Sequence, residues 1–170
     1  FLDTIPAANS IMNNRLLFYE NFEAGFSKWT NVGGWGLASH NHYSSSSAAT
    51  ESPAGNYNNN LNASLTLRNG ISLSNIKDLR VSYWCSYKLE KGDYAYFDIS
   101  FNGVSWQNIA SYTGISKMAL REHNIMSYVG SNKQLYLRFR VVTNSSGTND
   151  GFIVDDIKVT NLEKRIASGN

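Results

Sequence analysis

The sequence predicts an all-β fold, a two-sheet antiparallel jelly-roll β-sandwich. Three observations carry this: strict period-2 alternation in several segments, turn residues between them, and a composition rich in Asn, Ser and aromatics. Charged residues are only 16% and aromatics reach 13%, which excludes a disordered chain. The 21 Asn and 22 Ser argue against a helical bundle, because both are mediocre helix formers. A length of 170 residues fits one domain. A net charge of +2, thinly spread, excludes a nucleic-acid partner. No run is apolar and long enough to give a membrane span. A lone Cys85 excludes a disulfide framework and reads as a small buried hydrophobe.

Taken in order, residues 1–15 read as a linker or edge extension. Their start lacks a basic segment, a long apolar core and an initiator Met. That suggests an excised domain or processed fragment, compatible with a secreted, extracellular or cell-surface location. The sandwich domain is expected over residues 16–162, with 163–170 as a tail. Leu16 to Glu20 is the first strand. Residues 31–64 carry Gly33-Gly34, Gly36, Pro53, Gly55 and Asn58 to Asn60, so short strands joined by ordered loops are expected. Leu79 to Tyr87 alternates Val81, Tyr83 and Cys85 against Ser82, Trp84 and Ser86. Tyr94 to Phe101 sends Ala95, Phe97 and Ile99 inward and Tyr94, Tyr96 and Asp98 outward. Asn102-Gly103 is a hairpin signal, and Trp106 to Tyr112 is the return strand. Ser116 to Met126 has a weak helical pattern. Leu135 to Val141 alternates Leu and Phe residues against Tyr136, Arg138 and Arg140. Phe152 to Thr160 is the last strand.

Three segments together carry a family resemblance. They are Asn21 to Phe26 with Trp29-Thr30 and Gly34-Trp35, Glu51 to Tyr57, and Asp150 to Ile157. The pattern resembles the MAM-like jelly-roll accessory modules of secreted bacterial peptidases, of the immune-inhibitor-A and subtilase-associated kinds. It spans roughly residues 16–160. The chain departs from it at Glu51, where Asp is common, at Phe152, where Trp or Tyr is common, and in lacking the paired cysteines of animal MAM domains.

The resemblance implies a structural cation, expected to be calcium, near the chain ends. Its ligands would be Glu23, Glu51 and Asp156, with Asp155 as a further candidate. Calcium takes 6–8 oxygens, so converging acids would be needed. Alternation along the last strand leaves open which aspartate points to the ion. The resemblance also implies that the chain assists the catalytic domain of a larger secreted protein by stabilising, docking or targeting it.

The residues themselves suggest an alternative. Tyr94, Tyr96, Asp98, Tyr136, Arg138 and Arg140 would share one face, suited to a glycan or a cell-surface protein. The same face could instead be a second buried layer, with the arginines neutralising Asp98. Trp29, Trp35 and Trp106 are expected as core anchors. His40 and His42 share a Ser-rich loop, but zinc would need ligands beyond the one remaining His123. No nucleophile elbow, His-Glu-x-x-His motif or paired catalytic carboxylates occur, so no catalysis is expected of this chain alone.

Overall fold

The computed structural model describes residues 10–38 and 40–166. Strands β1 (Ser10–Glu20), β2 (Trp29–Val32), β3 (Gly36–Ala38), β4 (Ala48–Thr50), β5 (Asn62–Leu67) and β6 (Ile71–Ser72) come first. Then follow β7 (Leu79–Leu89), β8 (Tyr94–Ser100), β9 (Gln107–Tyr112), β10 (Gly114–Asn124), the one-turn helix α1 (Met126–Val129), β11 (Gln134–Val142) and β12 (Gly151–Ile166).

Two antiparallel sheets result. One, called sheet A here, runs β10-β7-β12-β4-β3, with β1 continuing along β12 beyond β4. The other, sheet B, runs β2-β5-β11-β8-β9, with β6 paired to the start of β11. Glu20 pairs with Ile157, so the first and last strands are neighbours, as expected of a jelly roll. The core lies between the sheets. Leu79, Val81, Tyr83 and Cys85 of β7 face Ala95, Phe97 and Ile99 of β8 and Leu135, Leu137, Phe139 and Val141 of β11 across it. Burial of this size is the main favourable term in folding. Tyr83 meets Phe97 and Phe139 edge-on at 5.1 and 5.0 Å, a preferred aromatic geometry.

Strand β12 carries a β-bulge between Asp155 and Lys158. Asp156 sits there at φ +47°, a left-handed conformation that Asp tolerates better than most residues. The extra residue switches the parity of the strand. Phe152 and Val154 face the core before it, and Ile157 and Val159 after it.

Two expectations are corrected. Ser116 to Asn124 is not helical: these residues belong to β10, a register shift between Ser116 and Ala119 breaks their alternation, and only Met126 of the expected stretch enters a helix, α1. Residues 10–15, expected as a linker or an edge extension, pair with the end of β12 and so extend sheet A. The expected tail begins inside β12, which runs to Ile166; residues 1–9 and 167–170 lie outside the described part.

Candidate functional site

The outer face of sheet B gathers the polar and aromatic side chains that alternation sends away from the core. Register places Thr30, Thr66, Arg138, Asp98 and Asn108 in one row across five strands. The next row holds Val32, Ser64, Arg140, Tyr96 and Ser111. Nothing in the described chain covers these rows as a second layer. Arg138 and Arg140 keep 22% and 27% of their side-chain surface exposed, while Asp98 keeps 1%.

Asp98 is the hub. Its Oδ2 accepts from Arg138 Nε at 3.0 Å and from Arg140 Nε at 2.6 Å. Its Oδ1 accepts from Asn108 Nδ2 at 3.0 Å and Arg140 Nη2 at 3.3 Å. Burial alone would push this carboxyl up. The bonds from Arg140 and Asn108 and the charges of Arg140 and Arg138 outweigh that and hold it below its usual range. The arginines therefore do neutralise Asp98, and in doing so are fixed in place as parts of an exposed surface.

Aromatic rings flank the hub. Arg140 lies 4.6 Å over Tyr96, which stacks with Tyr94 at 5.9 Å. Arg138 lies 4.2 Å over Trp106. Cation–π contacts of this kind hold a guanidinium plane in one orientation. Beside them opens a cleft of about 360 Å³ lined by Thr30, Thr66, Arg68, Trp106, Tyr136 and Arg138. A Cβ on Gly70 would come within 2.9 Å of the Tyr136 ring, so that glycine makes room for the ring at the cleft. The six expected face residues are thus brought together.

Trp106 corrects an expectation: it is a half-buried cleft wall, whereas Trp29 and Trp35 are core residues. It lies in the β8–β9 connection, one residue before β9, where alternation gives no information. Arg68, just past β5, was likewise not foreseen. The only signal for either was proximity to a turn, at Asn102-Gly103 and Asn69-Gly70.

The four acids expected to hold calcium are placed differently. Glu23 is exposed and accepts from the N–H groups of Ser46 and Ser47 and the Ser46 hydroxyl, which lower its pKa. Asp155 accepts the N–H groups of Tyr43 and Ser44 at 2.9 Å. Asp156 accepts the hydroxyls of Tyr19 and Ser44 at 2.7 Å. The bulge turns both aspartates outward, where they pin the 40–47 loop onto sheet A. Tyr43 of that loop stacks on Trp84 at 3.7 Å.

Glu51 stands apart. It is buried, and the Phe152 N–H points at both its carboxylate oxygens at 3.1 Å. Burial pushes its pKa up to about 8 despite those bonds. Among the described residues, no three of His, Cys, Asp and Glu come together in a metal-holding group. The four acids do not gather around one point: Glu23 meets Ser46 and Ser47, Asp155 and Asp156 meet Tyr43 and Ser44, and Glu51 meets Phe152. His40 and His42 stay in the loop, and His123 hydrogen-bonds Tyr83 at 3.0 Å in the sandwich. Burial raises the Cys85 thiol to about 11, which suits packing and not reactivity.

No family model matches the chain, and no curated protein matches it. Solved structures do. A family 61 carbohydrate-binding module, solved with β-1,4-galactotriose, is 19% identical with a TM-score of 0.56; the match covers 85% of this chain and 94% of that one. The K3 cleaved adhesin domain of Lys-gingipain from Porphyromonas gingivalis is 14% identical with a TM-score of 0.59, over 87% and 99% of the two chains. A family 22 xylan-binding domain from Paenibacillus barcinonensis is 16% identical with a TM-score of 0.53, over 92% and 97%. The chain has the two-sheet β-sandwich fold that these carbohydrate-binding and adhesin domains share.

Proposed function

We propose that this chain is a non-catalytic, extracellular or cell-surface glycan-binding module that uses the outer face of sheet B. The observation that carries the reading is the convergence of Trp106, Tyr136 and Arg138 on one open cleft, beside the Tyr94, Tyr96 and Arg140 cluster. Aromatic rings cover the apolar faces of sugars, and oriented guanidinium groups donate to their oxygens. The fixed arginines reduce the ordering cost of binding. The structural similarities support this reading better than the role of assisting a peptidase.

The test is a polysaccharide-binding panel with the wild-type protein and Trp106→Ala. Retention of the wild type on at least one glycan, lost in the variant at unchanged melting temperature, is expected. Equal binding by Trp106→Ala would move the site elsewhere.

A further inference from the structure

We infer that the sheet B face selects anionic glycans over neutral ones, an inference that rests on the glycan-binding reading. Two observations carry it. The first is charge. Arg68 and Arg138 line the cleft and Arg140 adjoins it, while Asp98 is the one acid that these five strands send to this face. This side of the sheet thus carries three guanidinium groups and, from its strands, a single carboxylate, which Arg138 and Arg140 hold.

The second observation is which atoms remain available. Asp98 is buried, and both its oxygens are engaged by Arg138, Arg140 and Asn108. It has no room to accept from a sugar hydroxyl. Arg138 and Arg140 bond Asp98 through Nε and Nη2, which leaves Nη1 of each without a hydrogen-bond partner among the described residues. Arg68 uses only Nε, on the Trp29 carbonyl at 2.9 Å, which leaves both terminal nitrogens. The face therefore offers donors and positive charge, and its one carboxylate is withdrawn. A neutral sugar would use the donors but gain nothing from the charge. A carboxylate or sulfate on the sugar meets both, and charge-assisted bonds are about twice as strong as neutral ones.

The stacking on Trp106 and Tyr96 also matters. It fixes the two guanidinium planes before a ligand arrives, so recognition of a planar or tetrahedral anion costs little reorganisation. Arg68 lines the same cleft as Arg138 and Trp106 and is the exposed, separable part of the arrangement.

The experiment is titration calorimetry of the whole chain with three probes: tri-galacturonate, a sulfated galactan oligomer and neutral β-1,4-galactotriose. Each is measured at about 50 mM and about 0.5 M NaCl, since salt screens exposed charge. Arg68→Ala is measured beside the wild type. At low salt, at least one anionic probe is expected to bind about tenfold more tightly than the neutral trimer. The advantage shrinks at high salt and falls severalfold in Arg68→Ala at unchanged melting temperature. The uronate and sulfate arms tell which anion is preferred. Equal or tighter binding of the neutral trimer overturns the anionic selectivity and leaves the glycan-binding reading standing. An anionic preference that ignores both salt and Arg68→Ala also overturns it. No binding of any probe, together with an empty polysaccharide panel, overturns both.

Discussion

At the residue scale, Glu51 and Asp98 are opposite solutions to one problem. Both are buried carboxyls. Asp98 is paired with two arginines and stays ionised below its usual range. Glu51 has the Phe152 N–H and, among the described residues, no Lys, Arg or His in an ion pair with it, and burial lifts it from 4.5 to about 8. Between those values the folded chain holds a proton that the unfolded chain has released. The folded state then binds more protons, so Glu51 makes stability fall as pH rises across that window. Glu51→Gln is expected to flatten this slope, measured by urea unfolding at about pH 5 and about pH 9. An unchanged slope would mean that Glu51 ionises freely in the fold. Asp98 was legible in the sequence because period-2 alternation fixes a side chain's face whatever strand lies beside it. Its saturation by two arginines was not, because it depends on the pairing of β8 with β11. Trp106 was illegible for a simpler reason: a loop residue has no period.

At the element scale, the β12 bulge decides where two acids point. Alternation read straight through Asp155 and Asp156 would put one of them into the core. The bulge turns both outward, so the apolar parity resumes at Ile157 with no charge buried between the sheets. The same defect, at Ser116/Ala119 of β10, explains why that strand resembled a weak helix in sequence. Bulges are set by local backbone geometry and are invisible to a strict two-residue period. Asp156 holds φ +47° and two side-chain bonds. Asp156→Asn is expected to remain near wild type, since Asn tolerates this conformation and keeps one acceptor. Asp156→Val should destabilise by about 2 kcal/mol or more, because a β-branched residue resists positive φ and makes neither bond. Denaturant midpoints check this; a valine variant as stable as the asparagine one would refute it.

At the scale of the whole molecule, the two outer faces are treated differently. The 40–47 loop lies on sheet A, tied by Asp155, Asp156 and the Tyr43–Trp84 stack. Among the described residues, sheet B carries no such loop and presents Tyr94, Arg138 and Arg140 in part to solvent. Sequence patterning reached the sandwich and the membership of the sheet B face. It did not reach the order of strands, which depends on contacts far apart along the chain.

The pairing of β1 with β12 has a mechanical meaning. Ser10 stands opposite Ile166, and the register runs from there toward Glu20 and Ile157. Tension applied between Ser10 and Ile166 would load the hydrogen bonds of this ladder one pair at a time, as in opening a zip, and not all together in shear. A ladder opened in that way resists weakly. Single-molecule stretching from those two points should peel β1 away at low force while the β5-β11-β8 centre of sheet B stays folded; a single high-force rupture would show that the strands are locked by something other than their pairing. The joint is where the sandwich yields first, and sheet B is the sheet that force reaches last.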